Sequence, residues 1–138
     1  MSATEEELVH LMRERILVLD GAMGTLIQSY GPDEGDFRGE RFRDHGTELK
    51  NNSDVLCLTK PEMISTIHHR FLEAGADIVE TNTFAATRVG QADFALEDAV
   101  HEINVRGAQL ARATADAWTA ETPDTPRFVA GSLGPMNR

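Results

Sequence analysis

Four polar residues stand at the ends of short apolar runs. Asp20 closes Ile16-Leu17-Val18-Leu19, Glu80 and Asn82 close Ala76-Asp77-Ile78-Val79, and Ser132 follows Arg127-Phe128-Val129-Ala130-Gly131. Side chains alternate along a strand, so Asp20 shares a face with Val18 and Ile16, and Glu80 shares one with Ile78 and Asn82. Two carboxylates then converge on one mouth, which repels phosphate; Asp20-Gly21-Ala22-Met23-Gly24-Thr25 is accordingly not the G-x-G-x-x-G loop of a dinucleotide site. Metal chemistry has little to work with. Cys57 is the single cysteine, so it makes no internal disulfide and no zinc site alone. His68 and His69 point in different directions on a helix and lack a third ligand one turn on. His10, His45 and His101 are isolated. Arg38, Arg41 and Arg43 are interleaved with Asp36, Glu40 and Asp44, which reads as surface ion pairing rather than an anion site.

The elements that position these residues follow from caps and periodicity. Thr4 and Glu7 fit a capping box, and Leu8, Leu11 and Met12 predict an amphipathic helix over about 5–14, its Glu5-Glu6-Glu7 start favoured by the helix dipole. The run 16–19 suits a strand buried on both faces, as in a parallel sheet. Residues 31–56 carry Gly31, Gly35, Gly39 and Gly46 among charges, which predicts a long surface connection. Thr59 and Glu62 form a second capping box, with Pro61 tolerated in the first turn. Ile64, Ile67 and Phe71 stripe the helix that follows, and Gly75 ends it. Residues 76–81 form a second strand. A third helix runs over about 96–118 with Val100, Ile103, Leu110, Thr114 and Trp118 on one face. Gly107 in its middle costs roughly 1 kcal/mol against alanine unless a close neighbour requires it. Pro123 and Pro126 end the helix, and 127–131 is the third strand.

Strands alternating with helices mean βαβ units. Polar strand ends favour a barrel over an open doubly wound sheet. The fold class is therefore α/β, an incomplete (β/α)8 TIM barrel comprising the first three strands and their helices. A complete barrel typically needs about 250 residues and eight strands, whereas this chain has 138 residues. Two segments are expected: an N-terminal helix over 1–15 and the first part of a barrel over 16–138. In an unclosed barrel, helix faces such as Ile64, Ile67 and Phe71 are expected to lack partners. With 13 Lys+Arg against 23 Asp+Glu, the net charge is −10, which argues against nucleic acid or an anionic membrane as partner. The apolar content of 41% is too high for a disordered chain. The run 16–19 is too short to span a bilayer, and the N-terminus has the wrong charge for a signal peptide, so a cytoplasmic protein is expected.

Four segments carry a resemblance. Ile16 through Thr25, Asp36-Phe37-Arg38-Gly39-Glu40-Arg41-Phe42, Glu73 through Phe84, and Phe128 through Pro135 resemble, in order, the opening of the homocysteine-binding barrel of the cobalamin-dependent methionine synthase family. Met136 departs from it, standing where a threonine usually follows Gly-Pro, as does Ala85, where a polar residue is common. The resemblance implies transfer of a methyl group from methylcobalamin, and ultimately methyltetrahydrofolate, to zinc-bound homocysteine, giving methionine. A bound metal holds a thiol as the nucleophilic thiolate at neutral pH.

By the same resemblance, zinc is held by cysteines on later strands, and folate and cobalamin by further modules. The chain would end before the zinc ligands, so neither metal ligands nor catalytic residues are expected in it, and the chain alone is expected to be inactive. Expected substrate-binding residues are Asp20, for the homocysteine amino group, with Gly21, Glu80, Asn82, Thr83 and Phe84. The residues themselves leave alternatives open: Asp20 as a turn residue before Gly21, Glu80 as a structural carboxylate, Phe84 as core. Two other readings stand beside this one, a homocysteine S-methyltransferase using another methyl donor and a non-catalytic partial-barrel interaction protein whose open edges pair with another chain.

Overall fold

The computed structural model describes residues 2–136; Met1, Asn137 and Arg138, at the ends of the two expected segments, lie outside the described residues. The chain runs through α1 (Ala3–Glu14), α2 (Met23–Tyr30), α3 (Glu34–Arg38), α4 (Leu56–Thr59), α5 (Pro61–Glu73), β1 (Ile78–Glu80), α6 (Arg88–Gln91), two 3-10 turns (Ala92–Phe94 and Glu97–Ala99), α7 (Val100–Glu121) and β2 (Phe128–Ala130). β1 and β2 pair in parallel, with Ile78 opposite Phe128 and Glu80 opposite Ala130. The crossover between them is helical, and α5 and α7 lie together over the sheet. This is the α/β alternation expected. Among the described residues no helix is long and apolar enough to cross a membrane.

The first expected strand is the largest departure. Residues 16–19 run alongside β1 but form only one parallel bridge, Leu19 to Ile78. They are not buried on both faces, since Ile16 is 87% and Val18 52% exposed. A strand of that kind needs neighbours on both edges and both faces, and here β1 supplies one edge. What holds the segment is Asp77. Its carboxylate takes Arg15 Nη1 and Nη2 at 2.9 and 2.7 Å and the Val18 N–H at 2.9 Å. The arginine holds this carboxyl below its ordinary range, so the stability it confers is present above the usual value near 3.8 and is lost as pH falls through the lower folded one. Asp77→Ala is expected to cost about 1 kcal/mol through the Val18 N–H alone, and to speed amide hydrogen exchange at 17–20. Unchanged exchange there would contradict the anchoring role.

Neither expected capping box forms. Ser2 rather than Thr4 caps α1, accepting from the Glu5 N–H at 3.3 Å. Thr59 is the last residue of α4 and donates its hydroxyl to the Val55 carbonyl, so α5 starts on Pro61 with no side-chain cap. The box that does form joins Asp33 and Asp36 at the start of α3. Gly75 ends α5 as expected: at φ +106 it takes the left-handed turn, its N–H bonds the Leu72 carbonyl and Ala76 N–H reaches Phe71.

The core lies between α2, α5, α7 and the segment 31–56. That segment is not merely a surface connection, because Phe37, Leu49 and Val55 are buried from it. Arg38 organises it, pairing with Glu34 and donating to the carbonyls of Phe42, Arg43, His45 and Thr47. Arg41 pairs with Glu102 and Arg43 with Glu40, so ion pairing holds with partners partly different from those expected. Ile64 and Ile67 do not lack partners; both are fully buried in this core, with Phe71 packed against it. Cys57 is buried in it too, as a small hydrophobe should be. His68 is fully buried with neither ring nitrogen paired in the fold, and burial pulls its pKa down to about 4.

Candidate substrate site

Gly107 is where α7 meets the end of β1. A Cβ there would stand 2.6 Å from Thr83 Cγ2 and 3.4 Å from Cys57 Sγ, so the close neighbour that justifies a mid-helix glycine is the segment just beyond Glu80. That contact and the parallel pairing of β1 with β2 bring the strand ends together around a cavity of about 570 Å³.

Asp20, Glu80, Asn82, Phe84 and Ser132 all line this cavity, with Gly21 beside Asp20. These five expected or noted polar and aromatic residues therefore converge. Thr83 does not. It is buried, its hydroxyl lies 2.7 Å from Thr81 Oγ1 and donates to the Ser132 carbonyl at 2.9 Å, so it braces the wall from behind. Three lining residues of the segment 51–54 escaped the sequence reading: Asn51, Ser53 and Asp54. The available signal was the polar run Asn51-Asn52-Ser53-Asp54 directly before the apolar Val55-Leu56-Cys57-Leu58. Asn51 turns there at φ +71, a conformation asparagine tolerates better than most residues. The helix α2, also absent from the sequence reading, begins at the same wall through Ala22, Met23 and Gly24, with no side-chain cap.

Each of two carboxylates is fixed by one backbone N–H. Asp20 Oδ2 accepts from Glu80 N at 3.0 Å while Oδ1 is buried without a partner in the fold. Asp54 Oδ1 accepts from Ala85 N at 3.0 Å. Burial pushes Asp20 up to about 6, with the Glu80 N–H pulling down and the Glu80 charge adding to the rise. Burial likewise raises Asp54 to about 6 against the pull of the Ala85 N–H. The amide of Asn82 is occupied, donating to the Ser53 carbonyl at 2.8 Å. Three carboxylates and no Lys, Arg or His line the cavity, which suits a ligand presenting a cation.

The donor set does not fit zinc. The cavity offers hard oxygens and no imidazole or thiolate. Cys57 donates its thiol to the Asn82 carbonyl at 3.3 Å, and burial pushes it up to about 12, far from a thiolate ligand. Among the described residues no group of three or more His, Cys, Asp or Glu is arranged to hold a metal.

Comparison with known proteins identifies the family. The sequence profile of the family described as homocysteine S-methyltransferase matches residues 17–138. The crystal structure of the homocysteine methyltransferase MmuM from Escherichia coli in its metallated form is similar with a TM-score of 0.69 at 29% identity, over 91% of this chain and 40% of that one. The oxidized form gives 0.69 at 30% identity, over 91% and 39%. The chain thus spans about 40% of the length of these structures.

Proposed function

The chain belongs to the homocysteine S-methyltransferase family, and from that premise we propose that its cavity receives the amino-acid end of homocysteine, with Asp20 accepting the substrate ammonium. The observation that carries this reading is the lining itself, three carboxylates without a basic side chain, one of them with a free buried oxygen. A charge-assisted bond to that oxygen satisfies it. Gly21 stands beside Asp20 in the same wall, and its missing Cβ makes room for the Phe71 ring, which a Cβ there would approach to 3.3 Å. The uncapped start of α2 leaves backbone N–H groups for an anionic end. Phe84, 60% exposed at the cavity wall, offers its ring to the substrate side chain.

In the whole protein we read the reaction as methyl transfer from methylcobalamin to the homocysteine thiol, giving methionine, within a (β/α)8 barrel of which these residues are the first part. The zinc and cobalamin this implies find no ligands among the described residues and are assigned to chain beyond them. The 138 residues by themselves contribute substrate binding and no turnover.

Calorimetric titration tests this directly. Homocysteine is expected to bind, and 4-sulfanylbutanoate, which lacks only the ammonium, is not. Equal binding of the two would sink the Asp20 assignment. Affinity is also expected to fall as pH drops through about 6, because Asp20 then takes a proton and loses its charge while the ammonium keeps its own. Asp54 faces the same cavity and adds to the same trend. A flat profile between pH 5 and 8 would contradict it.

A further inference from the structure

Three buried polar side chains, Asp54 at the cavity wall and Asn52 and Gln91 behind it, act together on one residue, Ala85. Asp54 accepts the Ala85 N–H at 3.0 Å. On the other side the Ala85 carbonyl accepts from Gln91 Nε2 at 3.2 Å and from the Thr87 N–H at 2.8 Å. Gln91 is in turn locked to Asn52 in both directions, with Asn52 Nδ2 donating to Oε1 at 2.8 Å and Gln91 Nε2 donating to Asn52 Oδ1 at 3.2 Å. Asn52, Asp54 and Gln91 are 1%, 5% and 0% exposed. α6 lies so close that a Cβ at Gly90 would collide with the Ala85 oxygen.

A core that needed only volume at these positions would use apolar side chains, since burying amides is costly unless every group is paired. Paired, they supply direction, which apolar packing does not. The direction supplied here is that of the 83–87 turn, held at the Ala85 N–H by Asp54 and at the Ala85 carbonyl by Gln91, itself locked to Asn52. Phe84, the residue before Ala85, has its own carbonyl held by the Gly134 N–H at 2.8 Å, while its ring stands mostly exposed at the cavity. The ring's place is therefore set by its backbone.

We propose that Asn52, Asp54 and Gln91 form a positioning clamp on Ala85 that fixes where the Phe84 ring stands, and so how closely the cavity wall fits the substrate side chain. The clamp rests on the homocysteine reading for its ligand and on hydrogen-bond geometry for its existence.

The test compares the native chain with Asp54→Ala, Asp54→Asn and Gln91→Met, by homocysteine titration and by amide hydrogen exchange, with thermal melts confirming that each variant folds. Gln91→Met keeps the volume and lies outside the cavity. Both Gln91→Met and Asp54→Ala are expected to weaken binding about tenfold. Asp54→Asn, whose amide oxygen still accepts the Ala85 N–H, is expected to recover most of that loss and to keep the part of the pH dependence that Asp20 supplies. Native affinity in Gln91→Met overturns the clamp. So does an Asp54→Asn as weak as Asp54→Ala, which would make Asp54 a charge rather than a positioning residue. If the native chain binds no homocysteine, the functional reading fails and the clamp is judged by exchange. Faster exchange at Ala85 in Asp54→Ala and Gln91→Met, with α7 unchanged, supports it; unaltered exchange at Ala85 overturns it.

Discussion

Phe37→Ala is expected to destabilise the chain by about 3–5 kcal/mol, the range for truncating a buried phenylalanine. Phe37 sits in α3, a helix of five residues, far too short to hold itself together in water. Its Asp33–Asp36 box and the Arg38–Glu34 pair close the helix locally, and Asp36 pairs with Lys60, yet Phe37 is the side chain of α3 that is buried in the core. A domain of this size has a total stability of about 5–15 kcal/mol, so the loss is a large share of it. The effect should also reach the site, because Asn51, Ser53 and Asp54 follow on the same segment and line the cavity. Urea unfolding would measure it. A midpoint shift equivalent to less than about 1 kcal/mol would mean that the segment 31–56 is the surface connection its composition suggests.

Gly107→Ala carries the second large effect, and its sign is the informative part. In an exposed helix the change would stabilise by about 1 kcal/mol. Here the added Cβ would lie 2.6 Å from Thr83 Cγ2 with Cys57 Sγ behind it, and overpacking of that kind costs about 1–3 kcal/mol. The neighbour that must yield is Thr83, whose hydroxyl braces Thr81 and the Ser132 carbonyl. Homocysteine affinity should therefore fall along with stability. Thr83→Ser removes the colliding methyl and keeps the hydroxyl, so the double variant should regain much of what Gly107→Ala loses. A more stable Gly107→Ala, or no coupling between the two positions, would show that α7 has room to move away.

Much of the site was legible from residue types because its signals are local. A carboxylate closing an apolar run, a glycine ending a helix and a glycine interrupting an amphipathic face each report a constraint on their own backbone. Asp20, Glu80, Asn82, Phe84 and Ser132 do meet in one cavity, Gly75 does take the left-handed turn, and Gly107 does have the neighbour it requires. Where two local solutions compete, neighbours decided. Thr59 has the chemistry of a cap, but its hydroxyl is taken by the turn before it. Thr4 already lies inside α1, whose start is capped by Ser2.

Burial is a property of what lies opposite, and no periodicity contains it. The apolar run 16–19 looks like an interior strand, yet it is exposed because β1 pairs one edge and nothing described covers Ile16 or Val18. The charged segment 31–56 looks like surface, yet Phe37, Leu49 and Val55 from it are core. Asp54 and the Asn52–Gln91 pair became part of the site only when contacts 31 and 39 residues long brought them to Ala85 and to each other. The sequence by itself determined the alternating elements, the acidic character of their ends and the family. Tertiary structure decided which side chains face the cavity, because that depends on distant segments closing against one another, and on which hydrogen-bond partners remain free once they have.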